Sequence, residues 1–110
     1  MIILREGNMI TIKQETLTMV ELVQRIESSI NQFKNDNIIV QLTELEVIDS
    51  DELLEFLNLS NQHRGNKHSF VIVTDKVDFD DVPEEIVVVP TLQEGYDIIE
   101  MEEMERDLGF

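Results

Sequence analysis

Ile38-Ile39-Val40-Gln41-Leu42-Thr43-Glu44-Leu45-Glu46-Val47-Ile48-Asp49-Ser50-Asp51-Glu52-Leu53-Leu54 is the stretch on which the fold turns. Its first five residues are nearly all apolar, the pattern of a strand buried on both sides of its backbone. Val47-Ile48 then reads as a short apolar strand that breaks directly into Asp49, Ser50, Asp51 and Glu52 and so into a helix. A strand-to-helix junction presents backbone N–H groups without partners, at the positive end of the helix dipole. Here carboxylates fill it. Asp49 and Glu52 have the spacing of an acidic capping box and Ser50 is an equally good cap, so a helix is expected over about residues 50 to 64. Gly65 is its expected stop, because glycine tolerates the left-handed conformation that follows a helix end.

Toward the amino terminus, Ile2-Ile3-Leu4 and Met9-Ile10-Thr11-Ile12 flank Gly7-Asn8, which reads as an edge hairpin. Thr18 and Glu21 have capping-box spacing, and Met19, Val23, Ile26, Ile30 and Phe33 recur at three- and four-residue steps, so an amphipathic helix is expected over about residues 19 to 34. Asn35-Asp36-Asn37 is turn chemistry. Toward the carboxyl terminus, Phe70-Val71-Ile72-Val73 reads as a buried strand and Asp75 to Glu85 as an acidic loop. Ile86 to Val89 reads as a short strand stopped by Pro90. Thr91 and Glu94 repeat the capping-box spacing and open a last helix with Leu92, Tyr96 and Ile99 on one stripe. Alternating strands and helices require crossover connections, so the later strands are expected to be parallel. The expected fold class is α/β: a sandwich with a mixed, mostly parallel sheet, an amino-terminal hairpin and about three covering helices, in one domain over residues 1–110.

Composition narrows the function. With 24 acidic residues against eight basic ones in 110, the net charge is −16, which repels a phosphate backbone or an anionic lipid surface and argues against binding to nucleic acid or membrane. The apolar content of 42% beside 29% charged residues is that of a folded globular chain. No cysteine is present, so disulfides, thiol nucleophiles and thiolate metal sites are excluded. Met1-Ile2-Ile3-Leu4 runs at once into Arg5 and Glu6 and lacks the apolar core of a leader, so a cytoplasmic location is expected.

The residues from Ile38 to Ser50 resemble the STAS domain, the fold of bacterial anti-sigma factor antagonists. The hallmark there is an apolar strand, a short Asp-Leu-Ser-like step and Ile-Asp-Ser-Ser-Gly-Leu at the start of the second helix. Asn66 to Val73 resembles the strand that follows, and Val89-Pro90-Thr91-Leu92-Gln93-Glu94-Gly95 the closing strand and helix. The similarity covers the chain from about residue 9 onward in element order and is specific at Val47 to Leu53. In that family the hydroxyl residue after Asp-Ser is phosphorylated by a partner kinase that doubles as an anti-sigma factor, and phosphorylation switches off binding. Asp49 and Ser50 match the motif, whereas Asp51 occupies the phosphorylated position and Glu52 replaces the glycine. The resemblance therefore implies a non-catalytic protein-binding module with a degenerate or locked switch, because a carboxylate supplies about one of the nearly two charges of a phosphate. It implies a kinase-like anti-sigma factor or other regulator as partner, and no cofactor.

Several residues admit two explanations. Capping alone accounts for Asp49 to Glu52, and a fixed negative contact surface is compatible with it. Ser50 itself is a possible phosphorylation site, since phosphate is favoured at a helix start. On an ideal wheel Leu53, Leu54 and Leu57 cluster on one face, while Leu59 projects nearly opposite between Glu52 and Glu55 with Phe56 at the edge. Phe56 and Leu59 are thus expected in the partner-binding surface, the alternative being that they belong to the core. Met101, Met104 and Leu108 oppose the last helix's main stripe and either tuck onto the domain or form a homodimer contact. His63 and Arg64 complement the carboxyl-terminal dipole of the second helix. No catalytic motif and no metal-ligand spacing is present. The enzyme alternative is a divalent-metal centre built on Asp49, Asp51 or the Asp78 to Asp81 loop, and a scaffold subunit is the other alternative.

Overall fold

The computed structural model describes residues 1–14, 17–42 and 48–109, organised on a five-stranded sheet whose strands lie side by side in chain order. β1 (Ile2–Glu6) and β2 (Met9–Lys13) form the antiparallel hairpin. Gly7 makes its turn at φ +61°, a conformation glycine adopts without steric cost. α1 (Met19–Ser29) opens on the Thr18–Glu21 capping box and tightens into a 3₁₀ turn over Ile30–Phe33. β3 (Asn37–Gln41) then runs parallel to β2. α2 (Ser50–Leu53), a 3₁₀ turn (Leu54–Phe56) and α3 (Leu57–Gly65) lead to β4 (Phe70–Val73), and β5 (Val87–Val89) closes the sheet, both strands parallel to β3. α4 (Leu92–Asp107) ends the fold. The α/β sandwich with an edge hairpin and a mostly parallel sheet is as expected.

Alternation along the strands divides the core in two. Ile10, Ile12, Ile38, Val40, Phe70 and Ile72 point toward α1, α2 and α3, and Ile39, Val71 and Val73 point toward α4. The central strands are therefore apolar on both faces, which is why Ile38 to Val40 reads as an unbroken run. α4 approaches closely at Gly95, where an added Cβ would stand 3.4 Å from a Val73 methyl.

Three local expectations are corrected. The second helix is not one continuous α-helix, and its inner face is not Leu53, Leu54 and Leu57. Leu53, Phe56, Leu59, Ser60 and His63 are buried, whereas Leu54 is 44% exposed. These five residues fill one arc of about 120° at 100° per residue, and the 3₁₀ turn narrows it further. Two of them are polar, so weighting the wheel by hydrophobicity alone rotates the apparent inner face toward Leu54. Phe56 and Leu59 are consequently core residues, each worth roughly 1.5–3 kcal/mol of burial, and not part of a contact surface. The left-handed residue after α3 is Lys67 at φ +66°, not Gly65, which still belongs to the helix. Ile48 is buried but lies in no strand, and its expected strand partner Val47 lies outside the described residues.

Candidate functional site

The chain reaches the start of α2 from the carboxyl-terminal edge of the sheet, where Leu42 N–H donates to the Val73 carbonyl at 2.9 Å and Ile48 is anchored in the core. Asp49 is extended and caps the helix: its Oδ1 accepts the Asp51 N–H at 3.0 Å, and Glu52 Oε1 accepts the Asp49 N–H at 3.2 Å. These bonds satisfy donors that a helix start otherwise leaves open. Two carboxylates are thus occupied by capping. The Asp51 carboxylate is exposed and meets no donor or cation among the described residues, so it remains available for an ionic contact. The Ser50 side chain lies outside what the structure describes.

Leu54 is the apolar neighbour of this carboxylate that the wheel placed on the wrong side. It is exposed beside Glu55, while Phe56 packs toward Phe70 with ring centroids 6.3 Å apart. Leu59 is 2% exposed. The acidic loop is a separate feature: Asp78 Oδ1 accepts the Asp80 N–H at 3.0 Å and so caps a one-turn 3₁₀ helix over Phe79–Asp81. Among the described residues no three histidine or carboxylate side chains come together as a metal site. Met101, Met104 and Leu108 are all more than half exposed, so the end of α4 does not tuck them onto the domain.

The opposite edge of the sheet holds a polar cluster that the sequence did not announce. Asn37 is buried, its Oδ1 accepting the Ser69 N–H at 2.8 Å and an Arg106 N–H at 3.3 Å, and its Nδ2 donates to Glu103 Oε1. Asn8 Nδ2 donates to the same Glu103 oxygen at 3.0 Å. Ser69 Oγ donates to Glu102 Oε1 at 2.6 Å and accepts from Arg106 at 3.2 Å. Together these bonds fasten the end of α4 to the start of β3 and β4.

His63 is buried beside this edge, with Nε2 2.6 Å from the Asp36 carbonyl, to which it donates as neutral imidazole. Burial lowers its pKa from the ordinary 6.5, against the raising effect of that hydrogen bond; the nearby His68 lowers it further and the Asp36 carboxylate raises it. His63 is therefore a neutral core residue rather than the dipole-complementing cation expected at the end of α3. Asp36 in turn pairs with Arg5 at 2.9 Å and ties the hairpin to the same region.

No protein-family model matches the sequence, and no curated protein matches it at a significant level. Solved structures match by fold. A structure of Moorella thermoacetica RsbS carrying a serine-to-glutamate substitution superposes with a TM-score of 0.69 at 15% identity, covering 94% of this chain and 96% of the other. A chain in a structure of the stressosome, described as a signal integration and transduction hub, superposes with a TM-score of 0.61 at 14% identity, covering 89% and 95%. The fold is that of the STAS domain. No helix among the described residues is long and apolar enough to cross a membrane.

Proposed function

We propose that this chain is a non-catalytic, cytoplasmic STAS-type interaction module of a signalling system, and that the start of α2 is its contact surface. The observation that carries the proposal is the division of labour at that helix start: Asp49 and Glu52 cap, and the Asp51 carboxylate projects without a partner among the described residues. Asp51 stands where the resemblance places the switch hydroxyl, so the module is a switch held in one state. Asp49, Ser50, Asp51 and Glu52 form the surface together with exposed Leu54, which replaces buried Phe56 and Leu59. The partner is a regulator of the kinase-like anti-sigma type, with basic groups that answer the acidic helix start. Exposed Met101, Met104 and Leu108 supply a second, adaptable contact for self-association in an assembly.

Affinity capture from the native cell with the natural chain and with Asp51→Ser tests the switch. Recovery of a kinase-like anti-sigma factor by the serine variant alone supports it, and identical partners for both sink it. Ser50, at the first residue of the helix, is the remaining position for modification. Intact-mass measurement after exposure to the captured kinase reports it directly. Calorimetry with magnesium, manganese and calcium separates the module from a metal-dependent enzyme using Asp49, Asp51 or Asp78 to Asp81, since only the enzyme requires binding.

A further inference from the structure

The sheet has two edges, and they are managed differently. β5 is three residues long and is followed by Pro90, the short, proline-terminated form that blunts an edge. β1 has no such device. All five of its residues are exposed, and Ile2, Ile3 and Leu4 are exposed by 39%, 41% and 54%. Among the described residues its outer backbone N–H and C=O groups lack a strand partner, because β2 occupies the inner side only.

Charge selects what pairs there. In a chain of net charge −16, β1 carries one arginine and one glutamate and is neutral, and Arg5 is already held by Asp36. A basic partner gains little at such a strand. A second β1 matches it in charge and in hydrophobicity. By register Leu4 lies on the α4 face, paired with Thr11, and Ile3 lies on the opposite face, paired with Ile12, so a neighbouring strand would cover apolar side chains on both faces.

We infer that two copies of this chain pair antiparallel through β1 about a two-fold axis at Ile3. Ile3 then meets its own copy, and Ile2 and Leu4 face each other across the axis, so the apolar residues match and the charged ones fall outside. Each cross-strand apolar pair contributes in the way sheet pairs do. An isologous contact of this kind closes, giving a dimer with one continuous sheet and not an open fibre. The interface is small and the copies repel, so the dimer is weak, in the micromolar range, and strengthens as salt screens the repulsion. This interface is independent of both the α2 surface and the Met101 stripe.

Sedimentation equilibrium over a concentration series at low and high salt tests the inference, with circular dichroism to verify folding of each variant. The expected result is a monomer–dimer equilibrium that tightens with salt. Ile3→Lys and Leu4→Lys should each raise the dissociation constant by at least about tenfold, a loss of 1.4 kcal/mol, while Val20→Lys, at an exposed position of α1, leaves it unchanged. Hydrogen exchange should show β1 amides protected in concentrated samples and not in dilute ones. A monomer at every concentration, or a dimer indifferent to both β1 variants, overturns the inference. A dimer indifferent to the β1 variants and lost in Met101→Lys with Met104→Lys also overturns it and leaves self-association to α4 alone.

Discussion

The two ends of the parallel sheet treat polar side chains in opposite ways. At the end where β3 and β4 begin, Asn37, Ser69, Glu102, Glu103 and Arg106 spend their hydrogen bonds on one another, and the central pair, Asn37 and Ser69, is buried. At the end where those strands finish, Asp49, Asp51, Glu52 and Glu55 lie in solvent, and among the described residues only the capping bonds engage them. A buried polar group that loses its partner carries a desolvation penalty, whereas an exposed carboxylate does not. The first end is therefore where substitution should damage the fold, and the second is where it should change what the protein binds.

The largest effect should come from the core that α2 and α3 cover. Phe56→Ala is expected to cost about 3–5 kcal/mol in urea unfolding, since it removes a fully buried ring packed toward Phe70. A cost under about 1 kcal/mol would return Phe56 to the surface. Next, Asn37→Ala should cost about 1–3 kcal/mol by orphaning the Ser69 N–H and taking one bond each from Glu103 and Arg106, which keep Asn8 and Ser69 as partners.

A smaller, pH-dependent effect belongs to His63. Its pKa is lowered in the folded state, so the unfolded chain binds the extra proton first as pH falls. Stability on this account is complete above about pH 6.5 and declines as pH drops below that value toward the folded pKa. Subtracting the pH curve of His63→Gln from that of the natural chain should leave that decline, and parallel curves would refute it.

Asp51→Asn should have the smallest effect on stability, within about 0.3–1 kcal/mol, because it loses only an exposed interaction with the helix dipole. The same variant should change partner capture most. If it unfolds the domain instead, the contrast between the two ends fails.

Much of this architecture is legible locally. The Gly7 turn, the Thr18–Glu21 box, the apolar runs of β3 and β4 and the Asp49–Glu52 box are written within a few residues of one another, and local rules find them. The polar cluster is not local. Asn37 and Arg106 are 69 positions apart and Asn8 and Glu103 are 95 apart, so no periodicity brings them together. Ser60 and His63 are polar residues turned inward, made acceptable by bonds to the Glu85 and Asp36 carbonyls. A wheel that counts only apolar residues misplaces the face they complete, and with it Phe56 and Leu59. The start of α2 was legible as chemistry, while the orientation of the helix behind it depended on partners elsewhere in the chain.

The sequential order of the strands also bears on how the molecule is made. Each strand pairs with the one synthesised just before it, so the sheet can grow in the direction of translation with every new strand finding its neighbour already present. The last turns of α4 reach furthest back among the described residues, when Glu103 meets Asn8 and Arg106 meets Asn37. Those contacts latch α4 onto strands made long before it, and a nascent chain stopped before residue 103 would lack that clasp.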